Sequence, residues 1–299
     1  MIRYPVTRDR LEEMIKAEAP TWLRRAGTRT KKFREAGRYT EEKGIWSEVK
    51  PIYVRLQHNK CAFCERRLSG PEIGLLEYDL EHFRPKSEVK AWPTDEIRER
   101  RKIRYDFPTG GAREQGYHLL AYHPWNYLAA CKPCNTALKS SFFPILGERI
   151  EEADDPWQLS TEKAYLVYPL GELDEDPTEL LTFVGSLPIP RYTSGHQFRR
   201  ASVMIDFFEL DTREDLLLDR ATWITAHWMA LYLRENGNAA SQRVAEQRVR
   251  EHLSPLAPHS NCLQAFHQLA LTDPTEAESI ALKLSDYLAS KLPRTADAA

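Results

Sequence analysis

Four of the five cysteines form two pairs of identical spacing, Cys61-Ala-Phe-Cys64 and Cys131-Lys-Pro-Cys134. Two thiolates separated by two residues can bind one ion from a single tight turn, and a second such turn completes a tetrahedral site. A redox C-x-x-C motif is the alternative, but the sequence around neither pair has a thioredoxin-like strand–helix pattern. The spacing therefore predicts a structural zinc ion that joins the two pairs. It leaves Cys262 as a small buried apolar residue.

The 299-residue chain is long enough for one large domain or two smaller ones. Its formal net charge of −2 conceals a segregation of charge, because residues 24–38 are rich in Lys and Arg and residues 148–179 in Asp and Glu. A basic stretch of this kind can bind phosphate groups locally, and solvated surfaces are the alternative interpretation. No run of about 18 apolar residues occurs, and charges stand where a signal peptide needs apolar residues. We therefore expect a cytoplasmic protein without membrane contact.

Helical sequence lies on both sides of the cysteine pairs. Residues 9–36 contain many helix-forming residues, and apolar residues recur at helical spacing between Leu217 and Leu231. We expect three parts: a helical, basic segment, a domain organised by the zinc site, and an acidic linker with a helical region. Their respective bounds are residues 1–45, 46–147 and 148–299.

The stretch YDLEHFRPKSE, residues 78–88, places a histidine between acids and cations. Since four thiolates already complete the zinc site, His82 is not needed as a zinc ligand. Asp79 and Glu81, which precede it, are typical of a metal site or a proton-transfer pair. The cations Arg84 and Lys86, which follow it, suggest an anionic substrate. These neighbours favour a functional role for the histidine over a structural one.

Two asparagines accompany the second cysteine pair. Asn126 precedes the pair, Asn135 directly follows it, and Lys139 lies one helical turn further, where it would share a helix face with Asn135. An asparagine at such a position can simply cap a helix. Together with His82, however, the asparagines could supply a side chain that orients a base and an oxygen ligand for a hard cation.

The order C-x2-C, acid-His, Asn, C-x2-C-Asn-x3-Lys resembles the HNH endonuclease family, in which a four-cysteine zinc braces a ββα-metal finger. The segments CAFCE, LEHFRPKS, GYHLLAYHPWNYLAAC and CNTALKSSFFP are similar, more narrowly, to the Septu-type anti-phage nucleases (PtuB), which also accompany some retrons. The similarity is strongest over residues 58–145. It implies an α+β fold with a small ββα-metal core, flanked by N-terminal and C-terminal helices.

The resemblance also implies roles for individual residues. His82 would be the general base, and Asn126 would orient it. Glu81 and Asn135 would bind a catalytic Mg²⁺ or Mn²⁺. Asp79 is a second candidate ligand, because in a regular strand it shares a face with Glu81 while His82 points to the opposite face. The stretch between His82 and Asn126 is longer than in minimal HNH fingers, so it carries an insertion.

The expected activity is metal-dependent hydrolysis of phosphodiester bonds in nucleic acid, with DNA as the expected substrate. Arg84, Lys86 and Lys139 would hold substrate phosphates, ordinary surface cations being the alternative. The resemblance implies a partner ATPase (PtuA-like) and a role in defence against phage. Two other functions remain open: a zinc module that binds nucleic acid without cutting it, and a subunit whose C-terminal half docks on a partner. For docking, the acidic residues 148–179 would suit a basic surface.

Overall fold

The structure, a computed structural model, describes residues 1–67, 77–150 and 152–291. Its α-helices are α1 (Arg8–Glu18), α2 (Trp22–Ala36), α3 (Lys50–Leu56), α4 (Asp95–Arg101), α5 (Pro177–Leu180), α6 (Gly195–Phe207), α7 (Glu214–Asn236), α8 (Ala239–Leu253), α9 (Ser260–Thr272) and α10 (Pro274–Lys291). Short 3₁₀ segments lie at Trp46–Glu48, His118–Leu120, Pro124–Asn126 and Pro156–Glu162. Within these ranges no helix combines the length and the apolar character needed to cross a membrane.

Two antiparallel hairpins provide the strands of the described chain. One pairs β1 (Tyr78–His82) with β2 (Tyr127–Cys131), and the other pairs β3 (Leu181–Val184) with β4 (Leu187–Pro190). A tight turn joins β3 to β4, whereas a long insertion separates β1 from β2. Helices together with small antiparallel sheets confirm the predicted α+β class in its coarse form.

The insertion between β1 and β2 packs onto the C-terminal half of the chain. It contains α4, whose last residue, Arg101, has a side chain that is 7% exposed and pairs with Asp206 at 2.9 Å and Asp211 at 2.7 Å. The hydroxyl of Tyr105 donates a hydrogen bond to the same Asp206 at 2.5 Å. The insertion therefore attaches the hairpin region to α6 and to the turn after it.

Short-range signals account for the N-terminal helices. α1 begins after Thr7, whose hydroxyl oxygen accepts a hydrogen bond from the amide of Arg10 at 3.2 Å. α2 ends at Gly37, whose φ of 64° lies in the left-handed region that glycine adopts without strain. Both helices bury one apolar face, and Trp22 at the start of α2 is fully buried.

The apolar core extends across the predicted domain boundaries. One cluster of buried apolar residues reaches from Met1 to Leu216 and includes the N-terminal helices, the first hairpin and α6. A second cluster lies between Ile224 and Ala281, in α7, α9 and α10. The boundaries at residues 45 and 147 stay a prediction, and the first cluster is continuous through both positions.

The basic N-terminal region and the acidic segment lie against each other. Arg8 pairs with Asp155 at 2.8 Å, and Arg34 pairs with Asp154. The segregation of charge seen along the sequence is thus partly cancelled in space. Part of the acidic surface that we expected to dock on a partner instead contacts the arginines of the chain itself.

The indole of Trp22 provides a test of the N-terminal packing. Its Nε1 donates to the carbonyl of Ile45 at 2.8 Å, and its ring lies edge-on to Tyr122 and Tyr127. We expect Trp22→Ala to lower the free energy of unfolding by about 3–5 kcal/mol, because it leaves a cavity and removes the hydrogen bond to the carbonyl of Ile45. The matched control is Trp157→Ala, at a residue that is 40% exposed, with an expected loss of about 1 kcal/mol. Urea denaturation measures both, and equal losses would contradict the packing.

Candidate functional site

The first hairpin and the helix after it bring the sequence-predicted residues together. In the antiparallel pairing of β1 with β2, His82 lies opposite Tyr127 and Tyr78 lies opposite Cys131. β2 therefore ends at the second cysteine pair, where a short π-helix, Pro133–Lys139, begins. The resulting order is strand, strand, helix, with two cysteines at the junction of the last two elements.

The four paired cysteines converge in the interior. Their sulfur atoms all lie within 4.8 Å of one another, and all four residues are buried. Four soft thiolates at one point fit the tetrahedral coordination of Zn²⁺. The prediction that both pairs converge on one point is confirmed, and the four thiols there could hold a metal ion such as zinc. Cys262 lies in the second core cluster and donates to the carbonyl of Gly185 at 3.4 Å, as expected of a buried cysteine outside the site.

Polar side chains that the sequence did not reveal brace this cluster. The amide of Gln57 donates to the carbonyl of Ala129 at 2.7 Å and accepts from its N–H at 2.8 Å, which fixes β2. Arg213 donates to Sγ of Cys134 at 3.3 Å and places a positive charge beside the thiolates. No spacing in the sequence connects Gln57 or Arg213 with the second cysteine pair, so only the folded chain identifies them.

One face of β1 carries the two acids, which lie against the π-helix. Asp79 and Glu81 point to this face, while Tyr78, Leu80 and His82 are buried on the other. The alternation that the sequence predicted for the two acids and the histidine is therefore present.

The π-helix directs two polar side chains at these acids. The side-chain amide of Asn135 donates to Oδ2 of Asp79 at 3.0 Å. The ammonium of Lys139 donates to Oε1 of Glu81 at 2.6 Å. These four side chains, Asp79, Glu81, Asn135 and Lys139, form a cluster that we call the carboxylate face.

Burial and neighbouring charges act in opposite directions at the carboxylate face. Burial raises the pKa of Glu81, the Lys139 and Lys86 ammonium groups oppose this, and Asp79 adds to it. Burial also lowers the pKa of Lys50, which Asp79 counteracts. Lys50, at the start of α3, therefore lies close to the acids. Sequence reasoning did not select it, because no motif includes it.

His82 occupies a buried position on the opposite face of β1. It is 6% exposed, and its ring lies edge-on to Trp46 and Tyr127. Its Nε2 lies 3.0 Å from the carbonyl oxygen of Ala121. Because a carbonyl oxygen only accepts hydrogen bonds, Nε2 carries the proton and Nδ1 keeps a lone pair.

The imidazole of His82 is neutral at pH 7. Burial holds its pKa well below the ordinary value of histidine, the Lys86 ammonium lowers it further, and the hydrogen bond to Ala121 opposes the shift. Lys86 influences the pKa values of both Glu81 and His82, so it lies near both faces of β1. A neutral imidazole with a free lone pair can accept a proton.

The resemblance predicts that Asn126 orients His82. The hydrogen bonds of its side chain, however, go to the backbone and not to the imidazole. Its side-chain oxygen accepts from the amide of Arg84 at 2.8 Å, and its side-chain nitrogen donates to the carbonyls of Arg84 and Leu120, both at 3.1 Å. The carbonyl of Ala121 is the hydrogen-bond partner of the imidazole. Asn126 therefore fixes the backbone on both sides of that contact and acts on His82 through it.

Two of the three expected phosphate-binding cations are engaged inside the chain. Arg84 is 6% exposed, pairs with buried Glu162, and lies over the rings of Tyr117 and Phe143. In the structure its charge is already paired with a carboxylate of the chain itself, and its contact with substrate stays a prediction.

Lys139, which was also expected to hold a substrate phosphate, is likewise paired with a carboxylate of the chain. Its side chain is fully buried, and its ammonium donates both to Glu81 and to the carbonyl of His82. Lys86, by contrast, is half-buried, with its ammonium over the rings of Tyr39 and Trp46. Of the three, Lys86 is best placed to meet a phosphate.

Comparisons of this chain with family models, with curated proteins and with solved structures find no match. The geometry of the site and the resemblance of its motifs are what connect this chain with a function.

Removal of one cysteine ligand tests the metal centre. We expect one zinc ion per chain, and we expect Cys134→Ser to lose it together with several kcal/mol of stability, on the order of that of other structural zinc sites. Cys262→Ala is the control for loss of a buried thiol, and it should retain the zinc. Elemental analysis and thermal unfolding measure both effects. Full zinc content in the Cys134 variant would exclude the four-thiolate site.

Proposed function

We propose that the hairpin β1–β2 and the π-helix form the ββα-metal core of an HNH endonuclease, which hydrolyses phosphodiester bonds of nucleic acid, with DNA as the expected substrate. The observation that supports this most directly is the carboxylate face, directly attached to a four-cysteine cluster. The next residue of the same strand is the neutral His82, whose ring lies on the opposite face of β1.

The oxygen atoms of the carboxylate face suit Mg²⁺ or Mn²⁺. Asp79 and Glu81 offer carboxylates, and Asn135 uses its amide nitrogen on Asp79, so its carbonyl oxygen is the atom that would bind a cation. Hard oxygen ligands favour these cations, whereas the thiolates favour zinc, so the two sites select different metals. When bound, a divalent cation would stabilise the negative charge that develops during phosphodiester cleavage.

In this proposal His82 is the general base. Its proton is held on Nε2 by the carbonyl of Ala121, which leaves the lone pair of Nδ1 to take a proton from the attacking water. Asn126 positions the imidazole through the backbone of Arg84 and Leu120. Lys86, close to both His82 and Glu81, would hold a substrate phosphate beside them.

The carboxylates also help to separate cleavage from binding alone. A module that only binds nucleic acid needs cations and the zinc site, and acids at the contact surface would repel phosphates. Asp79 and Glu81 become useful beside a phosphate once a divalent cation neutralises them. Their position on one face therefore favours the nuclease over the pure binding module.

The similarity to Septu-type nucleases further suggests that the chain is the nuclease subunit of an anti-phage defence system with a partner ATPase. This part of the proposal rests on the resemblance of the motifs. Asp154 and Asp155 of the acidic segment pair with Arg34 and Arg8, so the ATPase would need to use other surface residues.

Plasmid cleavage tests the nuclease. We expect wild-type protein with Mg²⁺ or Mn²⁺ to nick or linearise plasmid DNA, and we expect EDTA to stop the reaction. His82→Ala should reduce the rate by about 10²–10⁴-fold, because it removes the general base. His196→Ala, at a half-buried histidine at the start of α6, should cut at the wild-type rate.

The outcomes of this assay differ in what they exclude. Equal cleavage by zinc-loaded wild type and His82→Ala would exclude His82 as the base. No cleavage with either metal, alone or with the ATPase partner, combined with retained DNA binding, would favour the binding module.

The two cations after His82 should differ when each is removed. Lys86→Ala should weaken DNA binding and lower the slope of log affinity against log salt by about one phosphate contact. Arg84→Ala should leave this slope unchanged. It should destabilise the fold by about 3–5 kcal/mol, because the fully buried carboxylate of Glu162 loses its positively charged partner. Salt-dependent DNA binding and urea denaturation measure these two effects for both variants. A reduced slope for Arg84→Ala alone would reverse the assignment.

A further inference from the structure

Lys139 is the cation of the carboxylate face, and it is fully buried. Its side chain is 0% exposed, and its ammonium donates to Oε1 of Glu81 at 2.6 Å and to the carbonyl of His82 at 2.9 Å. Glu81 is one of the two carboxylates that the proposed function assigns to the divalent cation. An ammonium group and a divalent cation are therefore directed at the same side chain.

We propose that the Lys139 ammonium is an internal counter-ion that neutralises Glu81 in the absence of a divalent cation and thereby weakens binding of that cation. This inference rests on the proposed function, since it concerns the metal that the nuclease would use. It gives Lys139 the role of a positioning residue that tunes metal affinity, in place of the phosphate contact that the sequence suggested.

The need for a counter-ion follows from burial. A carboxylate removed from water is stable only if it is paired or protonated. The Lys139 ammonium, 2.6 Å from Oε1 of Glu81, is such a partner for this carboxylate.

The backbone around Lys139 keeps the ammonium in place. The amide of Ser140 donates to the carbonyl of Asn135 at 2.7 Å, and the amide of Phe142 donates to the carbonyl of Lys139 at 2.8 Å. The contact with the carbonyl of His82 does not depend on Glu81 at all. An arriving cation therefore meets a positive charge that is held near the carboxylate by a second contact.

The charges of the site indicate the consequence. Asp79 and Glu81 supply the negative charge, which Lys139, nearby Lys86 and Lys50 offset. Repulsion between the Lys139 ammonium and a divalent cation in a poorly solvated site is strong. We therefore expect weak metal binding by the free protein and tighter binding once a substrate phosphate adds negative charge.

Binding of Mn²⁺ to the zinc-loaded full chain, without nucleic acid, tests this role. Electron paramagnetic resonance measures the free Mn²⁺ during a titration. We expect Lys139→Met to bind Mn²⁺ about tenfold more tightly than wild type, or tighter still, because the competing charge is gone. Lys139→Arg, which keeps the charge, should bind as weakly as wild type. Adding Glu81→Gln to Lys139→Met should abolish the gain.

A matched control and a second neutral variant guard against other causes. Lys132→Met removes an exposed lysine from the turn before the same helix, and it should change the affinity less than about threefold, because solvent screens its charge. Lys139→Gln removes the charge but keeps N–H donors for Glu81 and for the carbonyl of His82. It should also bind more tightly, even if Lys139→Met fails to fold by circular dichroism and zinc content.

The result that overturns the inference is equal or weaker Mn²⁺ binding by the folded neutral variants, or absence of Mn²⁺ binding in every variant. Because the assay contains no nucleic acid, it separates this inference from the nuclease. The expected order of affinities without plasmid cleavage would leave the counter-ion in place and reject the proposed function. Plasmid cleavage without that order of affinities would support the nuclease and reject the counter-ion role of Lys139.

Discussion

Four sulfur atoms meet in the interior at the point where the elements of the candidate site join. They join the turn at Cys61–Cys64 to the end of β2, and the π-helix that carries Asn135 and Lys139 begins within the second cysteine pair. Four thiolates at one buried point repel one another, and a bound divalent ion together with Arg213 offsets that charge. The position of the carboxylate face therefore depends on a metal site that takes no part in the proposed chemistry.

The same metal-binding turn is also attached to the C-terminal helices. The fully buried Lys60 donates to Glu65 at 3.1 Å, to the carbonyl of Ala257 at 2.9 Å and to the hydroxyl of Ser260 at 2.7 Å. Its contacts satisfy the ammonium, which offsets the desolvation of a charge in the interior. Ala257 lies just before α9, and Ser260 is its first residue. The C-terminal region is therefore fixed to the cysteine cluster by hydrogen bonds as well as by apolar packing.

The range of each interaction decided how much of the site the sequence could predict. Cysteine spacing and the alternation that places Asp79 and Glu81 on one face are properties of the local backbone, and the structure has both. The role of Arg84 was not predictable, because its partner Glu162 lies 78 residues away. The contacts of Asn126 were not predictable for a related reason: a motif assigns a residue to a site, but it does not specify which atoms of the fold its amide contacts.

If Glu81 binds a divalent cation, as proposed, its pairing with Lys139 meets a constraint on any metal site that uses a buried carboxylate. Without the metal, such a carboxylate must be neutralised by a proton or by another cation. A proton would block the ligand atoms and would have to leave before a metal could bind. A lysine on the adjoining helix keeps the carboxylate ionised, and its charge lowers the affinity for the metal. The ion pair between Lys139 and Glu81, 2.6 Å long, corresponds to the second of these solutions. On the proposed function, folding would then not require the divalent cation, because the ammonium already balances the carboxylate.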